Sequence, residues 1–297
     1  MIFLPHMPSS VTDRRQRTAR RGWRHLILIV VLGLSGCTSV FLQPDHVRYF
    51  AGRAPDTPVH DVRITAPDGT ALHAQYLPAQ APLRGTVLFL HGNAENLSSH
   101  IHMVTWLPAA GYAVLALDYR GYGESAGSAG IDGVHQDAAA ALAWLVARGT
   151  AETGPLIVYG QSLGASVAIY LVATSPLRTH VSALIADSAF SSYRRIAREK
   201  LDAFWLSWPL QWPLSWLISD RYAAIDVVAR ISPIPLLLLQ GDADAVVDVS
   251  HARRLYEAAH EPRQLWIVPG GHHIDAVRRP QIRERLIDYL DQLPEAH

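Results

Sequence analysis

The sequence predicts an α/β fold: a mostly parallel central sheet, led by an antiparallel hairpin and carrying helices on both faces. Three observations predict it. Short apolar runs alternate with helix-length segments from residue 86 to residue 290, and strands alternating with helices imply parallel pairing with both sheet faces covered. Ahead of that alternation, Pro67-Asp68-Gly69 separates two segments of alternating polarity, a hairpin signal. The chain has 297 residues, 49% of them hydrophobic, enough for a sizeable core.

In order, the hairpin strands are predicted over 59–66 and 70–77. A continuous apolar strand follows over 86–90, then a helix over 97–110, a strand over 112–117 and an Ala-rich helix over 131–148. Strand 156–159 leads into helix 163–174, and strand 181–186 follows. The last elements are strand 234–240, helix 249–259, strand 264–268 and a helix over 274–290. Residues 193–231 break the alternation. They hold Phe204, Trp205, Trp208, Trp212 and Trp216, four of the eight tryptophans, punctuated by Pro209 and Pro213. An insertion there is expected over the carboxyl ends of the strands, where ligands bind in such sheets. It is read as a small cap whose aromatics pack onto the sheet, line a pocket or dip into a membrane interface.

The first 36 residues read as a targeting segment. Six arginines (Arg14, Arg15, Arg17, Arg20, Arg21 and Arg24) precede the apolar run 26–34, and Leu34-Ser35-Gly36-Cys37 follows. A basic region, a short apolar region and a small-residue site describe a secretory signal, and the run is short for a bilayer span. The four residues ending at Cys37 resemble a bacterial lipobox, which implies acylation of Cys37 and a membrane partner through the lipid. Thr38 behind it points to the outer membrane, on the periplasmic face of the cell envelope. Residues 37–58 are expected to be a tether and residues 59–297 the globular domain. Cys37 is the only cysteine, so no intramolecular disulfide can form. Beyond residue 36 the chain holds 20 basic and 25 acidic residues, and no basic stripe marks a nucleic-acid partner.

The motif that carries chemistry is Gly160-Gln161-Ser162-Leu163-Gly164, between a predicted strand and a predicted helix. That context turns a G-x-S-x-G match into a strained elbow that presents the Ser162 hydroxyl at the top of the sheet. The elbow also aims the Leu163 N–H at developing negative charge. A serine needs a base to take its proton. His272 and His273 both follow the last predicted strand, in Pro269-Gly270-Gly271-His272-His273. An acid is expected after the strand ending at Gln240, where Asp242, Asp244 and Asp248 compete. Asp244 is preferred for its reach to the base loop, Asp242 is expected to order the turn, and Asp187 is an outside candidate. A second oxyanion donor should come from the loop after the first parallel strand, here His91-Gly92-Asn93-Ala94, with the Asn93 N–H as donor. His91, Glu124 and Ser125 are read as structural loop residues. No H-E-x-x-H spacing occurs, so no catalytic metal is expected.

From residue 59 to 290 the chain resembles the α/β-hydrolase superfamily, on five ordered blocks: His91-Gly92-Asn93-Ala94, Gly121-Tyr122-Gly123-Glu124-Ser125, Gly160-Gln161-Ser162-Leu163-Gly164, Gly241-Asp242-Ala243-Asp244 and Gly271-His272. It is most similar to the serine aminopeptidase-like branch and to small membrane-associated hydrolases that include protein depalmitoylases. The resemblance implies a Ser162–His272–Asp244 triad, since it puts the base directly after the glycine. It implies hydrolysis of a small acyl substrate, an ester or a related bond, with no cofactor. Thioesterase and peptidase chemistry stay open. So does a non-enzymatic envelope lipoprotein that uses the fold to bind, because one fold hosts many functions.

Overall fold

The computed structural model describes residues 42–49, 57–202 and 211–293. The targeting segment, Cys37, Phe204, Trp205, Trp208 and Pro209 lie outside the described residues. The strands are β1 (Gln43–Pro44), β2 (His60–Thr65), β3 (Ala71–Leu77), β4 (Gly85–Leu90), β5 (Ala94–Glu95), β6 (Tyr112–Leu117), β7 (Leu156–Gln161), β8 (Val181–Asp187), β9 (Leu236–Gly241) and β10 (Arg263–Val268). The helices are α1 (Leu97–His100), α2 (Ile131–Val146), α3 (Thr150–Thr153), α4 (Leu163–Thr174), α5 (Tyr193–Asp202), α6 (Gln211–Trp216), α7 (Val249–Ala258) and α8 (Pro280–Asp291).

Eight strands form one sheet in the order β10-β9-β8-β7-β4-β6-β3-β2. The β2–β3 and β3–β6 pairs are antiparallel and the rest parallel. Successive side chains of a strand point to opposite faces, and each face here meets its own core. Leu88, Leu90, Leu115, Leu117 and Val158 pack on one side with α2 and α4. Val87, Phe89, Val114, Ala116, Ile157 and Tyr159 pack on the other with α8. Burial on both faces is why these strands read as unbroken apolar runs rather than as alternation.

Two predicted helices come out differently. The span 97–110 is broken into α1 and the 3-10 turns Ile101–Met103 and Pro108–Ala110. Asn96 caps α1, its side chain accepting from the Ser98 N–H, but Pro108 cannot donate to a continuing helix. The span 274–290 begins as loop and the 3-10 turn Ala276–Arg278. The helix proper starts at Pro280, a residue suited to a first helical position.

The expected tether is partly built into the fold. Gln43–Pro44 pairs in parallel with Ala94–Glu95. The Asn96 amide donates to the Asp45 side chain at 2.7 Å and to the Val47 carbonyl at 2.8 Å. The Gly123 N–H donates to the Asp45 carbonyl at 2.8 Å, and Arg48 pairs with Glu124 at 2.7 Å. Residues 42–49 thus form a strap across the loops after β4 and β6. The cap region holds α5 and α6, and its two ends meet at its base. The Ile225 N–H donates to the Ser191 carbonyl at 2.9 Å, and the Ser192 hydroxyl donates to Asp220 at 2.7 Å.

Candidate active site

The chain turns abruptly between β7 and α4. Ser162 sits there with φ 54° and ψ −114°, a conformation that costs an L-residue energy and persists only when its surroundings hold it. Its N–H donates to the Asp187 carbonyl at 2.8 Å. Close packing explains the flanking glycines. A β-carbon on Gly160 would collide with the Gly164 carbonyl, and one on Gly164 with the Leu90 carbonyl. The turn therefore draws β7, α4 and the end of β4 together. It brings the Leu163 N–H, in a first helical turn that lacks intrahelical acceptors, to the same cavity as the Asn93 loop.

Ser162 is buried, and its hydroxyl lies 3.0 Å from His273 Nε2. His273 Nδ1 lies 2.8 Å from Asp244 Oδ2. The preferred acid therefore lies beside a histidine that reaches Ser162, but the histidine placed between them is His273 and not the expected His272. The reason is the packing beneath the loop. Gly271 lies against Gly241, so close that a β-carbon on either would meet the other's backbone, and the Gly271 carbonyl accepts from the Ala243 N–H at 2.9 Å. Contact with the acid loop uses residue 271, and the next two side chains diverge. His272 is exposed, its Nδ1 3.3 Å from the Ala243 carbonyl. His273 turns inward, and Ile274, at φ 49°, carries the chain away.

Asp244 is fixed from several sides. Its Oδ1 accepts from the Val246 and Val247 N–H groups at 2.8 and 2.9 Å, and its Oδ2 also accepts from the Gln240 amide at 3.0 Å. Burial alone would raise its pKa, but the hydrogen bonds from His273 and the two backbone groups hold it below the usual carboxylate range. The competing acids have other partners. Asp242 accepts from the Gly270 N–H at 2.6 Å, ordering the turn toward the base loop. Asp248 caps α7. Asp187 accepts from the Gln161 amide at 3.0 Å and the Ser188 hydroxyl at 3.1 Å, and burial pushes its pKa up to about 6.

On the other side of Ser162, Asn93 is held by two groups that sequence reasoning missed. The Tyr122 hydroxyl donates to the Asn93 carbonyl at 2.8 Å, and the Gln43 N–H donates to its side-chain oxygen at 3.1 Å. A buried tyrosine hydroxyl normally finds a partner, which was the available signal in Gly121-Tyr122-Gly123. Nothing in the sequence marked Gln43. His91 is fully buried against the rings of His100, Tyr119 and Tyr122. Ser125 links Asp118 to the His73 N–H, and Glu124 pairs with Arg48 and Arg63. These residues brace the loops, as their sequence context suggested.

A cavity of about 820 Å³ opens above Ser162. Leu163, Phe190, Ile196, Leu214, Leu217 and Ile218 supply much of its wall, with Gln43 and Lys200 among its polar members.

Residues 81–222 match the family model described as serine aminopeptidase, S33. The chain is 33% identical to the uncharacterized protein YfhR of Escherichia coli over 84% of this chain and 86% of that one. It is also 33% identical to the alpha/beta hydrolase domain-containing protein WAV2 of Arabidopsis thaliana, over 72% of each chain. The chain belongs to the α/β-hydrolase family. Among solved structures, the hydrolase superposes on the Pyrococcus furiosus esterase Pf2001 with a TM-score of 0.68 at 25% identity, covering 85% of this chain and 98% of the esterase. The fold class, the mostly parallel sheet with its antiparallel edge, and the hydrolase assignment all agree with the sequence reading.

Proposed function

We propose that this hydrolase cleaves an ester or a related acyl bond through a covalent acyl-enzyme on Ser162. One observation carries the reading: the unbroken line from Asp244 through both ring nitrogens of His273 to the Ser162 hydroxyl, at 2.8 and 3.0 Å. His273 takes the hydroxyl proton through Nε2 as the oxygen attacks the acyl carbon. Asp244 accepts from Nδ1–H and so keeps Nε2 free to act as base. The N–H groups of Asn93 and Leu163 stabilise the oxyanion. The proton on His273 then passes to the leaving group. A water, deprotonated by His273 in turn, attacks the acyl carbon and frees Ser162. The largely apolar cavity wall favours an acyl or aromatic group over a charged one, and an esterase among the structural neighbours is in keeping with that.

A fluorophosphonate probe is expected to label the protein covalently, and Ser162→Ala to abolish the labelling. Undiminished labelling of that variant would sink the assignment. In the same reading the chain is exported, and Cys37 is acylated and becomes the mature N-terminus, which anchors the enzyme in the cell envelope. Intact-mass spectrometry of protein from the membrane fraction is expected to give a chain lacking residues 1–36 and heavier by its acyl groups. A mass that still includes those residues would overturn the anchor.

A further inference from the structure

The face around the cavity mouth differs from the rest of the surface in three ways. It is apolar where it is exposed: Trp212 is 57% exposed, Trp216 65% and Leu217 53%. Exposed apolar side chains gathered in one patch, unlike isolated ones, mark an interaction site. Trp212 and Trp216 are four residues apart on α6, hence on one side of it, while Leu214 and Leu217 belong to the cavity wall. The neighbouring helix is basic. α5 carries Arg194, Arg195, Arg198 and Lys200 against Glu199 and Asp202, on a body that beyond residue 36 is net acidic. Two of those arginines lie over the exposed rings, Arg198 4.4 Å from the centre of Trp212 and Arg194 5.0 Å from that of Trp216. Aromatic rings flanked by guanidinium groups suit a lipid–water interface with anionic headgroups.

The third feature is where the chain enters. Residues 42–49 strap across the loop that holds Asn93, and Gln43 itself lines the cavity. The described chain begins at Leu42, next to a residue of the cavity wall. Cys37 lies five residues ahead of Leu42, a reach of at most about 18 Å for extended chain. The lipid proposed above for Cys37 would stand within that reach of Leu42.

We propose that this face docks on an anionic phospholipid bilayer, with Trp212 and Trp216 entering the interface, so that the acyl group enters the cavity from the membrane. The docking stands on the surface alone; the source of the acyl group rests on the hydrolase reading above. Two readouts on the full-length protein separate them. The first is tryptophan emission on vesicles of phosphatidylcholine and phosphatidylglycerol in equal parts, with and without bromine on the acyl chains. Brominated chains are expected to quench part of the emission. The quenched part should fall at least twofold in the Trp212→Phe, Trp216→Phe double variant, and it should shrink in Arg198→Glu. Trp23 stands beside the apolar run 26–34, so it is the difference between the parent and the double variant, and not the quenching itself, that reports insertion at α6. Quenching that the double variant leaves unchanged would overturn the docking, and so would a dimer in sedimentation that the double variant dissociates.

The second readout compares a short soluble ester with a phospholipid ester held in the vesicle. Trp212→Ser with Trp216→Ser is expected to leave soluble turnover unchanged, which also reports a folded enzyme, and to lower vesicle turnover by roughly tenfold or more. Equal loss on both substrates would overturn delivery from the membrane. Absence of soluble turnover in the parent would count against the hydrolase reading while leaving the quenching result to decide the docking.

Discussion

His273→Ala is expected to lower kcat/KM for a p-nitrophenyl ester by on the order of 10⁴- to 10⁶-fold, the loss typical of removing the general base from a serine triad. His272→Ala is expected to stay within about twofold of the parent, as an exposed substitution should. The two residues are adjacent in sequence, yet only His273 joins Ser162 to Asp244. Without its imidazole, the Ser162 hydroxyl loses the acceptor 3.0 Å away that would take its proton as it attacks, and Asp244 loses the ring N–H that it accepts from. The comparison is made by steady-state kinetics on both variants, with melting temperatures to establish that each is folded. A large loss in His272→Ala with activity kept in His273→Ala would reverse the assignment.

Gly164→Ala is expected to have the second-largest effect, on stability and activity together. The added methyl would meet the carbonyl oxygens of both Leu90 and His91. Two backbone segments converge there, and no flexible side chain can swing aside. Overpacking of a well-filled interior costs about 1–3 kcal/mol, and a rigid backbone clash lies at or beyond the upper end. Relief requires α4 to move away from the end of β4. Those two segments carry Leu163 and Asn93, so the movement separates the two N–H groups proposed for the oxyanion. A misplacement of about 1 Å at such a site can cost on the order of 10²-fold in rate. Urea unfolding and ester kinetics read the two effects independently. An alanine variant with the parent's midpoint and rate would show that the approach of these segments is unimportant.

Much of this site was legible because its parts sit at the ends of strongly patterned strands. The β4, β7 and β9 strands are buried throughout, and each is followed by a loop with its own signature, so the loops of Asn93, Ser162 and Asp244 were located from the sequence. The choice between His272 and His273 was not legible. Neighbouring residues in a loop project to different sides, and which one turns inward depends on the Gly241–Gly271 contact, which joins segments 30 residues apart. The strap was missed for a related reason. Gln43–Pro44 is two residues long with no apolar period, and its pairing depends on a partner loop after β4. The helix expected over 97–110 ends at His100 and gives way to 3-10 turns, a change that its helical composition did not signal.

The cap leaves the sheet and returns to it through a closed neck, with Ser191 bonded to Ile225 and Ser192 to Asp220. A segment whose ends are already joined can be lengthened, shortened or exchanged at small entropic cost, without moving the strands that carry Ser162 and Asp244. The cavity wall that Ile196, Leu214, Leu217 and Ile218 supply is therefore open to variation independently of Ser162, His273 and Asp244. Such a hydrolase can be redirected to a new acyl group by grafting a different excursion onto the same neck, while its machinery for breaking the bond is inherited unchanged.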